Sequence, residues 1–510
     1  MSRLLPLAAI LLAAGCTTSP PAAQDPPRAP YTMPIRPAPA EPSAPAKRPE
    51  AATQPEPART TAPRRVGAGS EYDGVVLARE AQDAAPAILP ATLRIDPAAV
   101  VRPLSTDLLG VTLGGRETEN VLFGAGDALA DDARAMLPRL PLHLVRIAQY
   151  NNPHGREVGW KQAVGPVAQR PVVRFTPWDK PAPNRCGPAE IVAAIRAADP
   201  QARFVWTVDI ENADPDDAAD LAEYLTGTTG NPRGGTDWAA LRRADGLADP
   251  VPVVLWELGN ETDWRKPEDR LSADAYVERC RRAIAAIRSV APDARFAPHA
   301  ATAPWAWQDR FTEDWRTWHR AILASLAADI DHLVFHPYYF GYPTSVIERY
   351  MDQIREDIRT TTGGSRIGLY ISEHGLWPNA AEGQPWESSW WKTHGLPGCL
   401  ATAQFLNRMA ARDDIGPVTY HSLSCGPWGA VYRTRDGGRL WSTGIADLFR
   451  LYRDHLGTQV LRSGLDGAQC DPAAEDCSLT ALACRRDGTV AVLLANRSPA
   501  QRRVEIVLAS

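Results

Sequence analysis

From about residue 105 the chain alternates short apolar runs with amphipathic stretches. Eight runs have the length and apolar density of buried strands: LLGVTLGG (108–115), HLVRIAQ (143–149), RFVWTVDI (203–210), VVLWELGNE (253–261), RFAPHA (295–300), HLVFHPYYF (332–340), RIGLYISEHG (366–375) and VTYHSLS (418–424). The segments between them carry helical spacing. In DPDDAADLAEYLTG (214–227), Asp214 can cap, Pro215 suits the first helical position and Gly227 can end the helix. In SADAYVERCRRAIAAIRSVA (272–291), Ser272 is the cap candidate. Strand and helix alternating eight times predict a (β/α)₈ TIM barrel over residues 104–456. A doubly wound open sheet is the alternative, but no glycine-rich phosphate loop follows the first strand. ATLRIDPAAVV (91–101) and the tail ALACRRDGTVAVLLANRSPAQRRVEIVLAS show strand-like runs around turns and no helix. Residues 91–103 with 457–510 are therefore expected to form a small antiparallel β-sandwich.

The N-terminal region has a different texture. MSRLLPLAAILLAAGC has one arginine, a short apolar run and small residues before Cys16. The run is too short to span a bilayer, and the pattern is that of an export signal over residues 1–15. LAAGC resembles the lipobox of bacterial lipoproteins, which implies lipidation at Cys16 and an anchor in the cell envelope, at the outer membrane. Residues 16–85 are rich in proline and alanine, and are expected to act as an extended, disordered tether.

The net charge of −5 over 510 residues leaves no basic excess for a nucleic acid partner. The seven cysteines beyond Cys16 show no CxxC pair, and no HxH spacing accompanies them, so neither metal nor organic cofactor is expected. Cys470 with Cys477, or Cys399 with Cys425, are possible disulfide pairs.

Barrel active sites lie at the C-terminal strand ends, and here those ends are polar. Strand two carries Arg146 and then Gln149; strand three ends in Asp209 and Glu211. Strand four ends in Asn260-Glu261, and strand six in His336-Pro337-Tyr338. Strand seven ends in Glu373, and strand eight leads through His421 to Trp428. Carboxylates on strands four and seven face each other across a barrel mouth, the arrangement glycoside cleavage requires. One protonates the leaving oxygen, and the other attacks the anomeric carbon. The nucleophile must stay ionised, which a nearby Arg146 would favour. Glu257, four residues before Glu261, would point into the barrel and need a partner such as Arg146. Asp209 and Glu211 suit either substrate contact or a helix cap. Trp178, Trp377 and Trp428 follow strands, where an aromatic face can stack on a sugar ring.

Asn-Glu ending strand four and Glu ending strand seven resemble the signature of the clan A glycoside hydrolases. WELGNE is similar to the EIGNE of the family 51 α-L-arabinofuranosidases, with families 39, 44 and 79 also similar. DIENADPDDAADLAEYLTG, LRIDPAAVVRPLSTDLLGVTLGG and VLLANRS also resemble family 51 stretches. Strand two departs, reading VRIAQYNN where the family has arginine followed by an aromatic-Pro-Gly-Gly turn.

The resemblance implies Glu261 as general acid/base and Glu373 as nucleophile. It also implies Asn260 on the sugar 2-hydroxyl and Tyr338 beside the nucleophile. Arg146, His336, Trp377 and Trp428 complete the expected substrate-binding set. The expectation is a retaining, arabinofuranosidase-like hydrolase of poly- or oligosaccharides. Xyloside, β-glucan and exopolysaccharide stay open as substrates. An inverting hydrolase, a metal-dependent barrel hydrolase and a non-catalytic carbohydrate-binding lipoprotein are the competing classes.

Overall fold

A computed structural model describes residues 7–12 and 88–509, apart from 127, 149–158, 175–180, 229, 264–269, 304–314, 340–343, 365, 382, 435–436, 469, 472–475 and 499. Gln149, Trp178, Cys16 and the expected tether fall outside the described residues.

All eight expected barrel strands are present: β1 Gly110–Leu113, β2 Leu144–Ile147, β3 Arg203–Val208, β4 Val253–Leu258, β5 Phe296–Pro298, β6 His332–Phe335, β7 Gly368–Ile371 and β8 Ile415–Tyr420. They pair in parallel in chain order, with β8 beside β1 through Thr419 and Gly110. The ring closes between β5 and β6, where Ala300 N–H donates to Val334 O at 2.8 Å. The helix after β3, Pro215–Thr226, starts as its sequence dictates: the Asp214 side chain accepts from Asp217 N–H. Ser272 likewise caps Ala273–Arg288 by accepting from Ala275 N–H.

Successive side chains of a strand face opposite sides, so residues two apart share a face. Leu144, Val205, Leu255, Ala297, Val334 and Tyr370, one from each of β2 to β7, form a single apolar cluster. Two residues further along the same strands stand Arg146, Thr207, Glu257, His299, His336 and Ser372, all buried. The barrel thus has an apolar floor with a polar layer directly above it.

The accessory strands form one six-stranded hydrogen-bonded sheet. Its order is Leu7–Leu12, Thr489–Asn496, Leu479–Arg486, Gln459–Asp466, Ile88–Pro103, Gln501–Leu508. The inner pairings are antiparallel and both edge strands are parallel. Barrel helix Leu396–Ala411 docks on it, with the Asn407 amide donating to Leu493 O. The apolar run read as an export signal lies in this sheet, as the edge strand Leu7–Leu12 beside Val490–Ala495. Cys399 and Cys425 are not joined by a disulfide, so the pairing considered for them is not made. Cys470 and Cys477 oppose each other in strand register, but their side chains lie outside the described residues.

Candidate active site

Strand β4 ends at Leu258, and the next turn aims the acidic end of the motif. Gly259 sits at φ +87°, a conformation open to glycine and strained for other residues. A Cβ there would also meet Thr262 Oγ1 at 2.6 Å. Glu261 itself is held at φ +51°, which costs a non-glycine residue about 1–3 kcal/mol and concentrates at functional sites. The Glu261 N–H points to His299 Nδ1 at 3.4 Å.

Arg146 organises the polar layer. Its guanidinium donates to both oxygens of Glu257 at 2.6 Å each, to Glu373 Oε1 at 2.7 Å and to Asn260 Oδ1 at 2.6 Å. The side chain has no exposed surface. It therefore acts from behind the carboxylates and is not placed to touch a ligand, a correction to its expected place among the substrate contacts. Glu257 also accepts from His299 Nε2 at 2.8 Å and Ser372 Oγ at 3.2 Å. Burial pushes the Glu257 carboxyl up, but Arg146 and His299 outweigh this and pull it down to about 2.

Folding thus lowers this group's pKa from 4.5 to about 2. The stability it contributes is complete above its unfolded value and is lost as the pH falls through the folded one. Glu257→Ala leaves Arg146 facing Glu373 and Asn260 without its main partner. It is expected to cost about 3–5 kcal/mol in urea unfolding near neutral pH. A cost under about 1 kcal/mol would show that the buried pair is dispensable.

Glu373, on the first turn beyond β7, is bound on both oxygens. Oε1 takes Arg146, and Oε2 accepts from the Tyr338 hydroxyl at 2.6 Å. Burial works to raise its pKa, but His421, His336, Arg146 and the Tyr338 hydroxyl outweigh burial and hold it well below the usual carboxylate range. His336 lies between the two candidate carboxylates. Its Nδ1 is 3.0 Å from Glu261 Oε1 and 3.7 Å from Glu373 Oε2, and its Nε2 is 2.5 Å from Ser372 Oγ. His421 Nδ1 is 3.5 Å from Glu373 Oε2 and makes no hydrogen bond among the described residues.

Tyr338 is packed edge-on against Trp377, with ring centres 5.3 Å apart, and tilted against Trp428 at 5.2 Å. Trp377 is half-buried and keeps some surface. Trp428 is 1% exposed and donates to Leu376 O. It forms a wall behind Tyr338, so its expected role as an open stacking face is corrected. Asp209 Oδ1 accepts from the N–H groups of Glu211 and Asn212, which makes it the organiser of its own turn. His299 and Ser372 were not singled out in the sequence. Stepping two residues from the apolar floor positions Ala297 and Tyr370 would have found both.

Among the described residues, two triads bring ligand-type atoms within 4.8 Å of one another: Glu257, His299 and His336, and Glu261, His336 and Glu373. Arg146 is hydrogen-bonded to a carboxylate of each triad, and so supplies the positive charge that a cation would bring.

A closed parallel barrel with a carboxylate pair beyond β4 and β7 is the architecture of the clan A glycoside hydrolases. Comparison with known proteins narrows the resemblance to the arabinofuranosidases. The α-L-arabinofuranosidase 1 domain model matches residues 149–321. An intracellular exo-α-(1→5)-L-arabinofuranosidase of Streptomyces lividans is 27% identical over 257 residues, covering 49% of this chain and 37% of the relative. The Bacillus subtilis counterpart is 24% identical over 213 residues, covering 42% and 40%. The chain spans about two-fifths of the length of these curated relatives. Among solved structures, the family 51 arabinofuranosidase of Xanthomonas axonopodis pv. citri superposes with a TM-score of 0.63 at 16% identity, covering 83% of this chain and 88% of that one. The α-L-arabinofuranosidase of Thermotoga maritima gives 0.61 at 19% identity, covering 78% and 83%. The barrel and its resemblance to family 51 are as the sequence led one to expect.

The cellular location is not. Five of the curated relatives are named intracellular enzymes, which contradicts the lipid-anchored, outer-membrane placement. That placement rested on one apolar run and Cys16. The run is an edge strand in the fold, and Cys16 lies outside the described residues.

Proposed function

We propose that this chain is a retaining glycosidase acting on arabinofuranosides, with Glu373 as nucleophile and Glu261 as general acid/base. The observation that carries it is the approach of the two carboxylates: an oxygen of each lies within 4.8 Å. Retaining glycosidases hold their carboxyl groups about 5–5.5 Å apart, while inverting ones leave room for a water at roughly 6.5–9.5 Å.

The residues divide the work by environment. Glu373, held ionised by Arg146 and oriented by Tyr338, attacks the anomeric carbon. The bond to the leaving oxygen breaks as Glu261 gives that oxygen its proton. Water then attacks the same carbon, Glu261 takes the water's proton, and the bond to Glu373 breaks. Asn260 has its Oδ1 turned to Arg146, so it meets a sugar hydroxyl as an amide donor. The half-buried face of Trp377 is a further contact for the ring. The relatives' names favour arabinofuranose as the sugar.

The test is a panel of aryl glycosides (α-L-arabinofuranoside, β-xyloside, β-glucoside, β-glucuronide) with the purified chain. The arabinofuranoside is expected to turn over fastest. Preference for another sugar would overturn the substrate, and hydrolysis of none would overturn the catalytic assignment.

A further inference from the structure

Beside the two candidate catalytic carboxylates stands a third, Glu257, that the mechanism does not consume. It is fully buried and ionised, so it can only accept hydrogen bonds. This fixes the direction of every bond leading to it. The Ser372 hydroxyl has one proton, and it goes to Glu257 Oε1. Ser372 Oγ is then an acceptor towards His336 Nε2, 2.5 Å away, and His336 must carry its proton on Nε2. His299 is set in the same way: its Nε2–H donates to Glu257, which leaves Nδ1 facing the Glu261 N–H. Both imidazoles therefore turn an Nδ1 towards Glu261, one at its main chain and one at its carboxyl.

We infer that Ser372, backed by Glu257, is a positioning residue that locks the His336 tautomer and so keeps the proton on Glu261 until the leaving group needs it. This rests on Glu261 being the acid/base. With Nε2–H fixed, loss of the Glu261 proton would set a carboxylate against the bare Nδ1 lone pair. That repulsion opposes ionisation. Without Ser372, the neutral ring is free to move its proton to Nδ1 and donate to an ionised Glu261, so the acid gives up its proton more easily.

Titratable and charged groups face His336 from several strands. Glu261 and Glu373 lie on its Nδ1 side and Ser372 on its Nε2 side. The His299 ring stands edge-on at 4.9 Å, a Glu257 oxygen lies within 4.8 Å of a His336 ring nitrogen, and Arg146 acts through charge. Burial opposes a charge on His336, while Glu373 and Glu261 favour it, with a net upward shift. In either state of the pair, the proton shared by Glu261 and His336 lies between Oε1 and Nδ1, and Ser372 holds the other end of the ring. Ser372 itself is pinned at its carbonyl, which accepts from Thr112 and Thr419 hydroxyls at 3.0 and 2.6 Å.

The experiment compares Ser372→Ala, Ser372→Thr and Glu261→Ala with the unmodified chain. The readouts are the pH profile of kcat/KM on an unactivated arabinofuranoside and the ¹⁵N shifts of histidine-labelled protein. Ser372→Ala is expected to move the alkaline limb down by about 1 pH unit. It is also expected to shift the His336 signals from the Nε2–H pattern towards Nδ1–H, with Ser372→Thr restoring both. An unmoved limb together with an unchanged Nε2–H signature in Ser372→Ala would overturn the lock. The underlying assignment fails separately: it does so if Glu261→Ala keeps the alkaline limb. Where Ser372→Thr does not fold, the ¹⁵N signature of Ser372→Ala decides alone.

Discussion

Replacing Glu373 by alanine is expected to lower kcat by at least about 10⁴-fold while leaving the fold intact, since a nucleophile has no substitute within the site. The substitution also removes an acceptor from Arg146 and from the Tyr338 hydroxyl. Glu257 and Asn260 continue to hold Arg146, so the loss falls on chemistry more than on stability. Azide supplied to this variant with an activated arabinofuranoside should enter from the face that Glu373 occupied. The product would be a glycosyl azide of inverted configuration. Activity within about tenfold of the unmodified chain would remove Glu373 from the mechanism.

The second large effect is expected from Glu261→Ala, and its signature lies in which substrates suffer. General acid catalysis is worth about 10²–10⁴-fold. Alkyl arabinofuranosides and oligosaccharides, whose leaving oxygens need a proton, should lose that much. Nitrophenyl arabinofuranoside departs as a stable anion and should form its glycosyl-enzyme at near its usual rate. It would then stall at hydrolysis, giving a burst followed by slow turnover. An equal loss on both kinds of substrate would place Glu261 outside the proton path.

Much of this site was legible in the chain because barrel strands advertise themselves. Their apolar runs are short, they alternate with capped helices, and their ends break into polar residues. The Asn260-Glu261 end of β4 and Glu373 beyond β7 stood out for that reason. The Glu257–Arg146 pair was legible too, because a carboxylate four residues back along a barrel strand must be neutralised.

Less visible was the sharing of Arg146 among Glu257, Glu373 and Asn260, since the angular offset between β2, β4 and β7 is set by barrel closure. His299 and Ser372 were hidden by the brevity of β5 and β7, each only three or four residues long. A run that short gives period-two alternation little room to declare itself. Trp428 read as a loop aromatic open to a sugar, but the 3-10 turn Gly426–Trp428 tucks its ring behind Tyr338. The accessory region showed its strands but not their pairing. Long-range order such as Ile88–Pro103 between Gln459–Asp466 and Gln501–Leu508 depends on contacts hundreds of residues apart.

The central claim is that Glu373 forms a covalent bond to the sugar. A 2-deoxy-2-fluoro arabinofuranosyl donor with a good leaving group would slow the release of that intermediate, and mass spectrometry of the intact chain and its peptides would locate it. One sugar per chain, on the peptide containing Glu373, is the result expected. A label on another carboxylate, or turnover of the normal substrate with inversion and no label, would contradict it.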